Sequence, residues 1–468
     1  MRTHFMPITR YGSRNMKACL FCIALLLAGL HTAVQAEVFE RTLANGLKVI
    51  VKEDRRAPVV VQQIWYKAGS MDERTGVTGI AHVLEHLMFK GTHSVPAGEF
   101  SKRISAAGGR ENAFTSYDYT AYFQQLHKSK LPLAMKLEAD RMRNLNLTAA
   151  DFAKEIKVVM EERRLRTDDE AHALLYEKMM ATIYQQHPYR HPVIGWMSDL
   201  ESLTVGDAKA WYDRWYAPNN ATLVIAGDVK ADEVFALAQQ HYGAIARRAL
   251  APRRVFIEPQ QAGIKRMVVK APAELPHLVM SYHSPTLQDP AQDWKPYALQ
   301  ILAGVLDGNE SARLNKHLVR EQQVASGTGA GYDSASRGPS LFTLEATPSE
   351  GRTVNDVETA LRQEIAQLVK DGVSEEELQR VKAQVTAGEV YKRDSVFYQA
   401  MQIGQMESIS LGHRAIPVML KKLQAVTAEQ VRQVAKEFLQ DDNLTIAVLD
   451  PQPLSGKPKV SQGVPHAH

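Results

Sequence analysis

The segment His82-Val83-Leu84-Glu85-His86 puts two imidazoles and a carboxylate within about one helical turn. Histidines at i and i+4 on a helix can reach one metal ion, and a glutamate beside them can take a proton from a metal-activated water. The order H-x-x-E-H is the reverse of H-E-x-x-H and suits the same metal-assisted hydrolysis.

The flanking residues predict the helix that such chemistry needs. Thr78 is expected to cap its start and Gly91 to end it. Ile80, Val83, Leu84 and Leu87 recur as an apolar stripe, and at about 100° per residue His82, Glu85 and His86 fall on the opposite side. Packed on its stripe, the helix presents all three polar groups together.

Two histidines do not complete a catalytic zinc site, which takes three protein ligands and leaves one position open. Cys19 and Cys22, the sole cysteines, fall in an N-terminal segment expected to be removed, so the third ligand is expected from His, Asp or Glu. The predicted helix 151–163 is the best source. Glu155 and Glu162 are seven residues apart and share a face, with Val158 and Val159 placed on that face too, while Glu161 points about 100° away. Carboxylates along a valine face are costly unless paired or bound to a cation. The alternative is a charged surface helix with Lys154, Lys157 and Arg163 as partners.

Residues 1–36 have the pattern of a secretory signal: a basic stretch (Arg2, Arg10, Arg14, Lys17), an apolar run from Ala18 to Leu30, and small residues up to Ala36. A periplasmic location is expected, with no stable membrane span after cleavage. Four of the 56 basic residues and none of the 52 acidic ones lie in this segment, so the remaining chain balances at net zero. That balance offers no electrostatic case for nucleic-acid binding.

The rest reads as two similar halves. Strand, helix, strand and long-helix signals run from the Val38–Lys52 hairpin, with Asn45-Gly46 at its turn, to a closing strand at Thr222–Ala226 and a helix over Ala231–Tyr242. The pattern restarts at Arg266 and closes with a strand over Leu444–Leu449. Thr148-Ala149-Ala150-Asp151-Phe152 resembles Ser374-Glu375-Glu376-Glu377-Leu378, each a helix start. The expected organisation is a catalytic domain over 37–250, a linker over 251–265, a non-catalytic homologous domain over 266–452 and a flexible tail over 453–468. The second half lacks H-x-x-E-H; its corresponding helix reads Leu302-Ala303-Gly304-Val305-Leu306-Asp307.

His82-Val83-Leu84-Glu85-His86, followed 76 residues later by Glu162, together with VFERTLANGLKVIV, GIAHVLEHLMFKGT, GGRENAFTSYDYTAYF, KEIKVVMEE and YAPNNATLVIAGDV, resembles the pitrilysin/insulinase family. Mitochondrial processing peptidase and many bacterial periplasmic peptidases belong to it. The resemblance covers essentially the whole chain after residue 36. It implies an α+β fold of two related domains, each a mainly antiparallel sheet with helices packed on one face. It implies one zinc per chain held by His82, His86 and Glu162, Glu85 as general base, and Glu155 orienting a ligand histidine. The stretch Asn112, Ala113, Phe114, Thr115 matches an edge strand that pairs with extended peptide substrates.

The family also supplies an arginine and a tyrosine, seven residues apart, from the domain without zinc. Arg320 matches the arginine, but Gly327 stands where the tyrosine is expected, and Tyr332 could serve only after a loop shift. A chamber built from four such domains implies a dimer, and Gly327 points to a homologous partner lacking the zinc motif. The expectation is a zinc endopeptidase acting on peptides or unfolded segments; the alternative is a non-catalytic or peptide-binding subunit of a peptidase-like heterodimer.

Overall fold

The computed structural model describes residues 37–250 and 252–454. The expected signal segment, the first linker residue and nearly all of the tail fall outside them. Among the described residues, no helix is long and apolar enough to cross a membrane.

The first sheet contains β1 (Val38–Thr42), β2 (Lys48–Glu53), β3 (Val59–Tyr66), β4 (Arg110–Thr115), β5 (Thr120–His127) and β6 (Ala221–Gly227), in the order β1-β2-β6-β3-β5-β4. The second contains β7 (Lys265–Pro272), β8 (His277–Ser284), β9 (Ala325–Tyr332), β10 (Ser340–Pro348) and β11 (Leu444–Gln452), in the order β7-β11-β8-β10-β9. Leaving out β1, the two orders are the same, and each has one parallel pair, β2 with β6 and β7 with β11. The α+β class and the paired, mainly antiparallel sheets agree with expectation.

In the first half, α1 (Ile80–Leu87), α2 (Glu99–Ala106), α3 (Leu131–Asn144), α4 (Ala149–Arg163), α5 (Ala171–Ile183), α6 (Met197–Ser202) and α7 (Val205–Trp215) precede β6, and α8 (Ala231–Tyr242) follows it. The second half adds α9 (Lys295–Asp307), α10 (Val354–Asp371), α11 (Glu375–Asp394), α12 (Val396–Ser408), α13 (Ala415–Ala425) and α14 (Ala428–Phe438). Each sheet buries one face under its own helices. Val60, Ile64, Leu223 and Ile225 meet Val83, Leu84 and Met135 in the first core, while Leu278, Met280 and Ile446 meet Leu302, Leu306 and Leu361 in the second.

The other face of each sheet is covered by a helix from the opposite half, which the one-face expectation did not include. Leu175, Met179 and Ile183 of α5 pack on Val269, Val279, Ala447 and Leu449 of the second sheet. Reciprocally, α12 packs on β3 and β6, so closely that a Cβ at Gly404 would lie 2.0 Å from the Trp65 ring. Burial on both faces explains why β3 and β6 are almost continuous runs of buried residues instead of alternating ones.

Candidate metal centre

The α1 helix is anchored by backbone capture, not by the expected Thr78 cap. Its N-cap is Gly79 at φ 87°, a left-handed conformation that favours glycine. The buried Glu73 carboxylate accepts the N–H groups of Gly79 and Ala81, both at 2.8 Å. Thr78 instead donates its hydroxyl to Asp199 Oδ2 at 2.6 Å and accepts from Trp196 N at 3.0 Å. A Cβ on Gly79 would lie 2.6 Å from the Ile194 carbonyl, so the helix start is pressed onto the loop before α6. Gly91, at φ 90°, turns the chain just beyond the helix, as expected.

This anchoring aims His82, Glu85 and His86 at α4. Thr148 caps α4 by accepting the N–H of Asp151 at 3.0 Å. The inward face is Glu155, Val159 and Glu162; Val158, expected on it, is instead 46 % exposed, because at about 100° per residue it lies roughly 60° to one side of that line. Glu161 points outward to Arg164. His82 Nε2 lies 3.9 Å from Glu162 Oε1, and His86 Nε2 lies 3.3 Å from Glu162 Oε2. His86 Nδ1 lies 3.5 Å from Glu155 Oε2, and Lys90 holds Glu155 Oε1 at 2.8 Å. Arg166, which the sequence reading did not single out, sits 2.5 Å from Glu162 Oε1.

The electrostatics favour a cation here. Burial opposes charge on Glu162, but His86, His82 and Arg166 outweigh it and draw the carboxyl down to about 2. Burial likewise opposes a charged His86, yet Glu155 and Glu162 raise its pKa to about 9. Two carboxylates that hold a proton on an imidazole also favour a metal in its place. The donor set passes a geometric test: ligand atoms of His82, His86 and Glu162 lie within 4.8 Å of one another. Tetrahedral zinc with bonds of about 2.0–2.1 Å separates its ligands by roughly 3.3 Å. Its nitrogen and oxygen donors, without thiolate, differ from the Cys-rich donor sets of structural zinc sites.

Glu85 faces the same space without joining the cluster. Burial pushes its carboxyl up to about 7, and the Thr115 hydroxyl, donating to Glu85 Oε2 at 2.5 Å, limits the rise. Thr115 ends β4, which among the described residues is paired only with β5 and leaves its other edge open. Ala113, Phe114 and Thr115 line a cavity of about 630 Å³ with His82, Glu85 and Glu162; Asn112 turns its side chain to the Ala113 N–H and does not line it.

The signature described as "Insulinase (Peptidase family M16)" matches residues 48–195, and the one described as "Peptidase M16 inactive domain" matches residues 202–385. The zinc protease PqqE of Helicobacter pylori is 33% identical over 381 residues, covering 79% of this chain and 84% of that protein.

The chain belongs to the M16 peptidase family.

The M16 fold is equally clear in three dimensions. A protease from Helicobacter pylori superposes with a TM-score of 0.84 at 29% identity, over 89% of this chain and 100% of that one. The periplasmic protease PqqL from Escherichia coli shares the fold at 19% identity with a TM-score of 0.76, and this M16 chain matches 48% of its length. The inactive-domain signature begins before β6, although β6 lies centrally in the first sheet; the signature boundary and the sheet boundary do not coincide.

The remaining M16-derived expectations fall in the second half. Arg320 lies in a π-helical segment, Asn315–Glu321, and does not line the cavity around the cluster within this chain. Gly327 sits in β9, where an added Cβ would meet nothing within 4 Å, so the position accepts a side chain but has none. Tyr332 is not a free substitute: its ring stacks on Phe342 and its hydroxyl donates to the Pro285 carbonyl at 2.5 Å.

Proposed function

We propose that this chain is an exported, zinc-dependent endopeptidase that cleaves peptides or unfolded segments. The observation that carries the reading is the convergence of His82, His86 and Glu162 at a cavity also faced by Glu85 and bordered by an open strand edge. His82, His86 and Glu162 would hold the zinc, and Glu155 would orient His86 through Nδ1. Zinc bound there would acidify a water towards about 7 and polarise the scissile carbonyl.

The protein's own groups supply the rest. The open edge of β4 pairs with an extended backbone, which selects conformation over sequence. Glu85 takes the water proton at its carboxylate and delivers it to the leaving nitrogen as the C–N bond breaks. Thr115 fixes the position of Glu85 Oε2.

The organisation proposed is a metal-bearing domain over 37–250, a linker over 251–265 and a homologous domain over 266–452 without a metal, with the active form a dimer. The match to about half of PqqL and the placement of Arg320 away from this chain's cavity support pairing with a second two-domain unit. Gly327, with open space and no side chain, supports a partner that is homologous and lacks the zinc residues. Digestion of an unfolded peptide with and without chelator tests the enzyme reading. Loss of cleavage on chelation and its return with zinc are expected; cleavage indifferent to chelator refutes it. If the purified chain alone forms an active homodimer, the heteromeric part fails.

A further inference from the structure

We propose that Arg337 is a positioning residue through which the second half holds the substrate-pairing strand of the first. The proposal rests on the peptidase reading for its effect on turnover, but not for the clamp itself. Arg337 lies between β9 and β10, in the loop that reaches across to the turn joining β4 to β5. Its backbone N–H donates to Asp118 Oδ2 at 3.0 Å, and its Nη1 donates to the Asp118 carbonyl at 3.1 Å. The guanidinium also grips Asp72, with Nη1 to Oδ2 at 2.9 Å and Nη2 to Oδ1 at 3.2 Å. One side chain, only 13% exposed, thus ties the Asp72 carboxylate to the backbone of Asp118 in the turn.

Around it the loop is locked. Tyr189 donates its hydroxyl to Asp118 Oδ1 at 2.6 Å and accepts the Gly338 N–H at 2.9 Å. Tyr184 donates to the Pro339 carbonyl at 2.9 Å. A Cβ on Gly338 would lie 2.3 Å from the His187 ring. On the turn's other side, the N–H groups of Ser70 and Met71 donate to the carbonyls of Ser116 and Tyr117 at 3.1 and 2.9 Å.

The turn is therefore held between a segment of its own half and a loop of the other, with Asp72 shared by both contacts. Thr115, the residue before the turn, carries the hydroxyl bonded to Glu85. A shift of the turn tilts the open strand and loosens Glu85 together. A buried arginine held by one carboxylate and a backbone carbonyl adds little net stability compared with an apolar contact but imposes a fixed geometry. That is the property a template strand needs.

Arg337→Ala and Arg337→Lys in the full chain test this. Zinc content, hydrogen exchange by mass spectrometry, and kcat and KM on an extended quenched-fluorescence peptide are measured for each. Arg337→Ala is expected to keep one zinc per chain and to exchange residues 110–119 at least tenfold faster, with β3 and β8 unchanged. KM should rise at least fivefold, more than kcat falls, and lysine should restore only part of both. Exchange that rises throughout the fold, or nowhere, overturns the clamp, as does an unchanged KM. Should Arg337→Ala fail to fold, Asp72→Asn, which removes the carboxylate charge that the guanidinium grips, is read by the same measures. If the wild-type chain cleaves nothing, the peptidase reading falls alone, because the exchange pattern still decides the clamp.

Discussion

The two halves use one scaffold and treat the gap between two helices in opposite ways. Ala81-His82-Val83-Leu84-Glu85-His86 of α1 aligns with Ala303-Gly304-Val305-Leu306-Asp307-Gly308 at the end of α9. From the caps Thr148 and Ser374, Glu155 aligns with Val381 and Glu162 with Gly388. Each presumed ligand in the first half thus faces a glycine in the second, and Glu155 faces a valine. The apolar anchors Val83/Val305 and Leu84/Leu306 are kept and buried in both. In the first half the helices stand apart across imidazoles and carboxylates. In the second, a Cβ on Gly304 would lie 2.6 Å from Val381 Cγ1, so direct packing has closed the gap. The core stripe supports the fold; the polar side of the same helix is free to carry a metal site or lose it.

The comparison is broken most severely at the ligands. His86→Ala or Glu162→Gln should strip the metal and reduce cleavage to background, checked by metal analysis of the purified protein. Retained stoichiometric zinc in either variant would remove that residue from the ligand set. Next, Glu85→Gln should keep zinc and lose about 10²–10⁴-fold in kcat/KM, the usual worth of a positioned general base. Asp307→Asn, at the aligned position, should stay within about twofold of wild type. Equal losses in the two variants would mean that the halves are not chemically distinct.

A smaller effect sharpens the packing side of the comparison. Gly304→Ala should destabilise the chain by about 1–3 kcal/mol through overpacking against Val381, and Val381→Ala in the same chain should recover most of it. Chemical denaturation measures both. The smallest effect concerns the seam between halves. Glu407 of α12 binds Lys48 of β2 at 3.0 Å and His413 at 2.8 Å. Burial opposes its charge, but His413 and Lys48 prevail and hold the carboxyl at about 2, below its usual 4.5. Because the folded value is depressed, this stabilisation is fully present above pH 4.5 and is lost as pH falls towards 2. After screening through the partly exposed Lys48, about 1–2 kcal/mol is expected, read as the difference between wild type and Glu407→Gln across that window.

Much of the fold could be read from local pattern. β5, α4 and α11 follow from periodicity and caps, because burial on one face imposes a repeat on the sequence, while β3 and β6 follow from dense runs of β-branched and apolar residues. β9 did not announce itself: Gly327, Gly329 and Gly331 have weak strand propensity, and its place comes from pairing with β10. The Asn315–Glu321 segment is π-helical, a form that sequence periodicity does not separate from an α-helix. Thr78 looked like a cap by residue type, yet its hydroxyl bonds Asp199, and Glu73 takes the helix N–H groups. Glu73 gave no local sign of that role, since it reaches the helix through a loop.

Sequence alone determined that His82, Glu85 and His86 share a helix face and that Glu155 and Glu162 share another. Those relations follow from 3.6 residues per turn and need no third dimension. Only the tertiary structure decided that the two faces meet, that Val158 lies outside the contact, and that Thr115 bonds Glu85 from a strand edge. It also decided that Arg337 of the second half reaches Asp72 and Asp118 of the first. Arg320, matched by resemblance to a substrate contact, does not line this chain's cavity, whereas Arg337, which no local pattern marked, makes its contacts across separations of 219 and 265 residues. Local periodicity carries no information over such distances; the crossing of α5 and α12 between the sheets sets them.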